Sequence, residues 1–146
     1  MKKMILGADH AGFKLKEAVK KYLGAKGYTL YDLSPVLIPG DDYPLIAKKA
    51  VKLLKASSYK LHAVLVCGSG HGMEIEANRF KGIRAIVARS PKDAMVSEQE
   101  DHSNILILGG RMTKPALAKK IVSGWLKAKP SKAKRHLRRI KELDRV

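Results

Sequence analysis

Cysteine, aromatic residues and long apolar runs are all scarce in this 146-residue chain, and each scarcity excludes something. The one cysteine, Cys67, cannot form a disulfide within the chain, which is typical of a protein from the reducing cytoplasm. The longest apolar runs, such as residues 63–67 and 105–108, are far too short to cross a bilayer. No apolar stretch of signal-peptide length follows Met1-Lys2-Lys3, so we expect no secretory leader and a cytoplasmic location.

Acidic residues are also few, because thirteen Asp and Glu stand against thirty Lys and Arg, a formal net charge of +17. Residues 127–145 alone hold nine basic and two acidic side chains. Net charge informs about partners and solubility but not about fold, so nucleic acid and anionic metabolites are both candidate partners. With 5% aromatic residues and no recognition motif, nucleic-acid binding is the weaker alternative of the two.

The length and the 45% hydrophobic content are those of one globular domain, residues 1–146. Short apolar runs predict five strands, at residues 4–8, 28–33, 63–67, 84–88 and 105–108. Helical patterns follow at about 12–26, 44–56, from 72, 91–98, 115–128 and, as a basic final helix, 132–144. The alternation predicts an α/β fold with a doubly wound, Rossmann-like sheet of five parallel strands flanked by helices.

Two helices have patterns that predict which side chains are buried. The first should bury Phe13, Leu15, Ala18, Val19, Tyr22 and Leu23, with Lys14, Lys16, Lys20 and Lys21 in solvent. The second should bury Leu45, Ile46, Ala50, Val51 and Leu54.

Doubly wound sheets bind ligands at the carboxyl ends of their strands, and the polar residues of this chain follow strands. Asp9 and His10 follow the first predicted strand, and Arg111 follows the fifth. Asp9 could equally cap the first helix. We interpret His62 and His71 as solvent-exposed residues without a role.

A glycine-rich segment, residues 67–72, lies between the third strand and a helix, where backbone N–H groups can converge on an anion. Met73 stands where a dinucleotide fingerprint has its third glycine, and also where a cysteine phosphatase has its arginine. No Gly-Lys-Ser/Thr of a P-loop occurs. What remains is a thiol at the head of an anion-binding turn.

Cys67, near a helix N-terminus in a basic protein, should have a lowered pKa and act as a nucleophile or a base. The alternative is a buried cysteine that packs as a small hydrophobe. Arg135 and Arg139 are one helical turn apart and could grip one phosphate, unless they form a solvated face. The five histidines show no metal-ligand spacing with the cysteine, so we predict no metal.

Seven segments match one family in order and spacing: GADHAGFKLK at 7–16, DYP at 42–44, CGSGHGM at 67–73, ANR at 77–79, GIRA at 82–85, Asn104 with GGR at 109–111, and RHLRR at 135–139. Over nearly its whole length the chain resembles the ribose-5-phosphate isomerase B / galactose-6-phosphate isomerase family. The resemblance implies an aldose–ketose isomerase without metal or cofactor that passes through a cis-enediolate. Ribose 5-phosphate is the expected substrate, with galactose or allose 6-phosphate or a tetrose phosphate as alternatives.

The resemblance also implies roles for particular residues. Cys67 would remove the proton beside the carbonyl, while Ser69 and the loop amides at Gly68, Gly70 and Gly72 would hold the enediolate oxygens. Asp9, Asp42 and Tyr43 would contact the sugar. The phosphate would be held by His10, Arg111, Arg135 and Arg139. Members of the family are homodimers or larger assemblies, such as dimers of dimers, in which the neighbouring subunit completes each pocket.

The chain departs from the family pattern before the fifth strand. The family has a His-Asn pair there, whose histidine opens the furanose ring; this chain has Glu100 and Asp101, with His102 two residues late. Glu100 could transfer the proton, His102 could reach in, or the substrate could need no ring opening. A non-catalytic protein that binds sugar phosphate is a further alternative. The isomerase interpretation requires Cys67 to open onto a cavity and to face the arginines of the last helix.

Overall fold

The computed structural model describes residues 2–145, so Met1 and Val146, the ends of the predicted domain, lie outside it. The strands are β1 (Lys3–Ala8), β2 (Thr29–Asp32), β3 (His62–Cys67), β4 (Ala85–Val87) and β5 (Ile105–Gly109). The helices are α1 (Phe13–Ala25), α2 (Tyr43–Ala56), α3 (His71–Ala77), α4 (Pro91–Asp101), α5 (Pro115–Lys127) and α6 (Lys134–Leu143). Each begins and ends within a few residues of the predicted bounds.

All five strands are parallel, in the order β2-β1-β3-β5-β4, which confirms the predicted sheet. The chain turns from one half of the sheet to the other between β1 and β3, where Ile5 pairs with Ala63. Ligands bind at such a reversal, outside the carboxyl ends of the strands. Asp9 and Cys67 are at this point.

Helices cover both faces of the sheet, as the doubly wound prediction requires. On one face α1, α4 and α5 pack through Val19, Ala94 and Trp125 against strand residues such as Val64. On the other, α2 and α3 pack through Leu54 and Met73. Because side chains alternate along a strand, Cys67 points to the α2/α3 face while its neighbour Val66 points to the opposite one.

The predicted surface of α1 is wrong at Lys16, which is fully buried. Its Nζ donates to Asp32 Oδ2 at 2.9 Å and to the Ser34 carbonyl at 2.8 Å, and it lies 4.4 Å from the centre of the Phe13 ring. Burial raises the pKa of Asp32, but hydrogen bonds from Lys20 and Lys16 outweigh it and hold that pKa below its ordinary value. A buried charge is tolerated where it is paired and hydrogen-bonded in this way.

Two further predictions of burial are corrected. On α2, Leu45 is exposed and Ala47 is buried instead, because the helix is rotated slightly from the predicted register. His62 is half-buried, with its ring edge-on to Trp125 at 5.4 Å between centroids.

Helix α6 packs against the carboxyl-terminal end of α4, at the edge of the sheet where the strands begin. Arg84, just before β4, binds both oxygens of Asp144 at 2.8 Å and donates to the Asp101 carbonyl at 2.9 Å. Ile140 is the buried residue of α6. Within residues 2–145, no helix combines the length and the apolar content needed to span a membrane.

Candidate active site

A cleft of about 230 Å³ opens at the carboxyl ends of β1, β3 and β5, and we call it the carboxyl-edge cleft. Its lining residues are Asp9, Ala11, Tyr43, Cys67, Gly68, Ser69, Gly72 and Arg111. Backbone hydrogen bonds join the segments that carry them, from Asp9 N to Val66 O at 3.3 Å and from Arg111 N to Gly68 O at 2.9 Å. Hydrogen bonds therefore hold three segments that are distant in sequence together along the edge of the cleft.

The glycine loop after β3 needs its glycines for space and for conformation. A Cβ on Gly68 would lie 2.7 Å from Arg111 Nη1, so the arginine can cross the loop only because that atom is absent. Gly70 has φ +87°, a left-handed conformation that glycine adopts without strain. A Cβ on Gly72 would collide with the ring of Tyr43. The absence of a Cβ at Gly68 and Gly72 therefore allows the side chains of Arg111 and Tyr43 to pack directly on the loop.

Cys67, the last residue of β3, is 4% exposed and lines the cleft. Burial raises the pKa of the thiol above its ordinary value, and the carboxylate of Asp9 adds to the rise. Hydrogen bonds from the backbone N–H groups of Met73, Gly70 and Ser69 act in the opposite direction without cancelling it. The expectation of a lowered pKa was therefore wrong, because desolvation outweighs the amides of a short helix.

Asp9 is buried beside Cys67, and its Oδ1 accepts a hydrogen bond from Gly12 N at 3.0 Å. Gly12, not Asp9, is the N-cap residue of α1. Burial raises the pKa of Asp9, while the Gly12 hydrogen bond and the neighbouring His10 lower it. Two acids with raised pKa values thus lie in one cleft, a pattern that is common in catalytic sites.

His10 is oriented by Asp41, a residue that the sequence did not single out. The Asp41 carboxylate accepts the His10 backbone N–H at 2.6 Å and lies 3.2 Å from the ring Nδ1. Asp42, which we predicted to bind the sugar, is exposed at the start of α2 and outside the cleft lining, whereas Tyr43 lines it. Nothing in the sequence distinguishes Asp41 from Asp42. The conformation of the loop places Asp41, not Asp42, against His10.

A second group of predicted residues lies at the opposite edge of the sheet. Glu100 and Asp101 are exposed at the end of α4, and His102 follows them with φ +47°. The His102 Nε2 donates to the Ser131 carbonyl at 2.9 Å. Ser131 Oγ in turn contacts His136 Nδ1 at 2.8 Å, so the end of α4 and the start of α6 are joined.

Arg135 and Arg139 are exposed on α6 and belong to this second group. Strand β5 runs from the second group to the carboxyl-edge cleft. It begins at Ile105, three residues after His102, and ends at Gly109, which pairs with Cys67. Four steps of roughly 3.3 Å put about 13 Å between these two edges. Within one chain, therefore, Cys67 opens onto a cavity but does not face the arginines of the last helix.

Acidic and imidazole side chains are dispersed in this protein. Among residues 2–145, no three His, Cys, Asp or Glu side chains are arranged to hold a metal ion. The groups that line the cleft are one thiol, one carboxylate, hydroxyls, a guanidinium and backbone amides. Such a set can move a proton and stabilise an anion.

Comparison with known proteins gives one consistent result. Residues 4–143 match the profile of the ribose/galactose isomerase family. The chain is 36% identical over 146 residues to ribose-5-phosphate isomerase B of Escherichia coli strain K12, with 100% of this chain and 97% of that protein covered. It is 35% identical over 130 residues to the D-erythrulose-4-phosphate isomerase of Pectobacterium atrosepticum, which covers 88% and 84% of the two chains.

Solved structures agree with the sequence matches. The ribose 5-phosphate isomerase of Thermotoga maritima superposes with a TM-score of 0.93 at 40% identity, covering 99% of this chain and 98% of that one. The ribose-5-phosphate isomerase B of Mycoplasma genitalium, solved with bound ribulose-5-phosphate, gives a TM-score of 0.91 at 34% identity and covers 98% and 94%.

Proposed function

This chain belongs to the ribose/galactose isomerase family, and from that membership we propose that it interconverts ribose 5-phosphate and ribulose 5-phosphate with Cys67 as the base. The observation that carries the proposal is the position of the thiol. Cys67 lies in a cleft at the strand reversal, with amide N–H groups of Ser69, Gly70 and Met73 directed at its sulfur. A reducing cytoplasm, which we propose as its location, would keep this lone thiol free.

The proposed chemistry is a proton transfer between two neighbouring carbons. The Cys67 thiolate removes the proton on C2 of the open-chain aldose, the C–H electron pair forms the C1–C2 double bond, and the carbonyl π pair moves onto O1. The hydroxyl proton of O2 passes to O1. The Cys67 thiol then returns its proton to C1 while the C2–O2 carbonyl forms, which yields the ketose and regenerates the thiolate. Ser69 and the amides of Gly68, Gly70 and Gly72 would stabilise the enediolate oxygens, an effect worth about 3 kcal/mol per donor in other enzymes.

Substrate binding would use both ends of the sugar phosphate. Asp9 and Tyr43 line the cleft and would contact hydroxyls. Asp42, exposed beside Tyr43, would contact a further hydroxyl. Arg111 lies over the loop and, with His10, would bind the phosphate. A guanidinium and an imidazole together are well suited to a dianionic phosphate.

The arginines of α6 would reach the phosphate from a second copy of the chain. Among the described residues, neither Arg135 nor Arg139 forms an ion pair, and the same-chain cleft lies at the other edge of the sheet. In a homodimer, or a dimer of dimers, α6 of one subunit would lie over the carboxyl-edge cleft of the other. We propose that each site is shared in this way.

Ring opening separates two candidate substrates. Glu100 and Asp101 replace the family's His-Asn pair, and His102 Nε2 is engaged by Ser131. If no residue here opens a furanose ring, a four-carbon aldose 4-phosphate is the better substrate, because its phosphate blocks the hydroxyl that would close the ring. The similarity to a D-erythrulose-4-phosphate isomerase favours this second candidate.

The test is a panel of four-, five- and six-carbon aldose phosphates, followed for ketose formation and for solvent deuterium uptake at C2. We expect ribose 5-phosphate to turn over, and Cys67→Ala to abolish turnover and deuterium uptake while binding is retained. Cys67→Ser, which keeps a hydroxyl of similar size, is the matched variant and should be at least about 100-fold slower, in line with the loss of a general base.

Other outcomes would identify the alternatives. Turnover of the tetrose phosphate alone would assign the second candidate. Thermal stabilisation by a sugar phosphate with no exchange at C2 would indicate a non-catalytic binding protein. Tight nucleic-acid binding at physiological salt would favour the nucleic-acid alternative.

A further inference from the structure

A second cavity, of about 320 Å³, lies at the edge of the sheet where β1 and β3 begin, and we call it the amino-edge cavity. Met4, His62, Glu98 and Trp125 contribute to its wall, and Lys2, Lys3 and Lys60 also line it. It shares no lining residue with the carboxyl-edge cleft. The proposed isomerisation uses none of these side chains.

Glu98 is the unusual feature of this cavity. The residue is 8% exposed, and its Oε2 is buried without a hydrogen-bond partner among the described residues. Leaving a buried acceptor unsatisfied costs about 1–3 kcal/mol, and more for a charged group. Burial raises the pKa of Glu98 to about 7, against a smaller lowering by Arg84, so the carboxylate is mostly ionised at pH 8.

The remaining charge around the cavity is positive. None of Lys2, Lys3 and Lys60 forms an ion pair with a described acid, and Lys2 lies 5.4 Å from the centre of the Tyr28 ring. Burial lowers the pKa of His62, and Arg84 lowers it further, so this ring is neutral above pH 7. The cavity therefore combines lysines without acidic partners with one buried acceptor.

These two features select a ligand that is anionic at one end and a hydrogen-bond donor at the other. A simple cation would be repelled by three lysines, and an anion without hydroxyls would leave Glu98 Oε2 unsatisfied. We propose that the amino-edge cavity binds a small phosphorylated polyol, with its phosphate on the lysines and a hydroxyl donating to Glu98 Oε2. This second site is independent of the proposed isomerase reaction.

The site is connected to the rest of the molecule through α4. Glu98 lies one residue before Gln99, whose carbonyl accepts the Ser131 N–H at 2.9 Å, and two before Glu100. A ligand at Glu98 would therefore contact the helix that ends in Glu100, Asp101 and His102.

Trp125 makes the test direct, because it is the chain's one tryptophan and it lines this cavity. Titration with sn-glycerol 3-phosphate at pH 8 should saturate a change in its fluorescence. Glu98→Met, an apolar replacement of similar volume, and the double variant Lys3→Ala/Lys60→Ala should each weaken binding at least about tenfold, as expected for a lost hydrogen bond to a charged group. Lys119→Ala/Lys120→Ala, which removes two exposed lysines of α5, is the matched control and should bind as the native chain does.

Inorganic phosphate and glycerol alone form the other arms and should bind at least about tenfold more weakly than the ester. Glycerol 3-phosphate binding that is unchanged in Glu98→Met, or equal binding of inorganic phosphate, would overturn the proposal. Circular dichroism of each variant checks folding, and isomerase turnover is measured separately. Native turnover without a fluorescence response would refute the amino-edge site and leave the proposed function intact. A fluorescence response without turnover would support the amino-edge site and refute the proposed function.

Discussion

Cys67 is held in a balance between burial and backbone hydrogen bonds. Desolvation raises its pKa, and the amides of Met73, Gly70 and Ser69 oppose the rise. At neutral pH the thiol form therefore predominates in the free protein. A base of this kind is protonated in most molecules until the pH approaches its pKa.

Activity should accordingly rise with pH. We expect kcat/KM for ribose 5-phosphate to increase close to tenfold per pH unit between about pH 7 and 8.5, where the thiolate fraction is small and grows in that proportion. Because Cys67 is the one cysteine, the rate of alkylation by iodoacetamide against pH measures the same ionisation. A thiol that alkylates at a constant rate from pH 6 upward would contradict the raised pKa.

Glu98 should make stability depend on pH in the opposite sense to an ordinary carboxylate. Its pKa is about 7 in the folded chain and 4.5 when unperturbed, so between these values the unfolded chain releases a proton that the folded chain keeps. The unfolded state then binds fewer protons, and stability falls as pH rises. Relative to Glu98→Gln, the native chain should lose about 3 kcal/mol of unfolding free energy between pH 4.5 and 8.

Urea denaturation of both proteins at pH 4.5 and pH 8 checks this. Other titrating groups are common to the two proteins and cancel in the difference. Parallel curves, with no change in the gap between the two proteins, would show that Glu98 is solvated in the folded chain.

Prediction from sequence failed for the burial, contacts and pKa of individual side chains. Lys16 has the spacing of a solvated residue, and only the placement of Asp32 and Ser34 beside it accounts for its burial. Asp41 rather than Asp42 contacts His10 because of the loop's turn. The raised pKa of Cys67 depends on how completely α2 and α3 cover it, which no local motif records.

At the scale of elements, prediction succeeded because the strands are buried on both faces. Parallel strands covered by helices are nearly continuous apolar runs, such as Val64–Val66 within β3, and these are visible without an alignment. The segments that carry Cys67, Asp9 and Arg111 follow strands, so their convergence at one edge was predictable. The distance between the carboxyl edge of the sheet and α6 could not be predicted from the sequence, because that distance depends on strand order.

The Arg84–Asp144 contact determines where α6 lies. Arg84 joins Asp144 to the last residues of α4, and Ile140 supplies the buried apolar contact. We therefore expect Asp144→Ala to loosen α6 by about 1 kcal/mol, the upper range for a partly exposed ion pair. Through Arg135 and Arg139, KM for the sugar phosphate should rise about fivefold with kcat nearly unchanged.

Steady-state kinetics and amide hydrogen exchange in α6 measure these two effects. Lys48→Ala, which breaks the exposed pair with Glu76 at 3.8 Å, is the control and should change neither. An Asp144→Ala protein with native KM would show that α6 does not depend on this contact for its position.

For the whole molecule, the main consequence is that the candidate site residues fall into two groups on opposite edges of one sheet. Asp9, Cys67 and Arg111 form one group, and Arg135 and Arg139 belong to the other. Neither group accounts for phosphate-sugar isomerisation alone. A symmetric dimer that brings unlike edges together would create two equivalent sites.

Mixed assemblies test the account most directly, because they examine Cys67 and the shared site together. Cys67→Ala and Arg135→Ala/Arg139→Ala should each be inactive alone. When the two are unfolded and refolded together in equal amounts, half of the dimers are mixed and each mixed dimer has one intact site, so about one quarter of native activity should return. Refolding them separately and then combining them gives the baseline. An active Cys67→Ala protein, or a co-refolded mixture that stays at the baseline, would contradict the account.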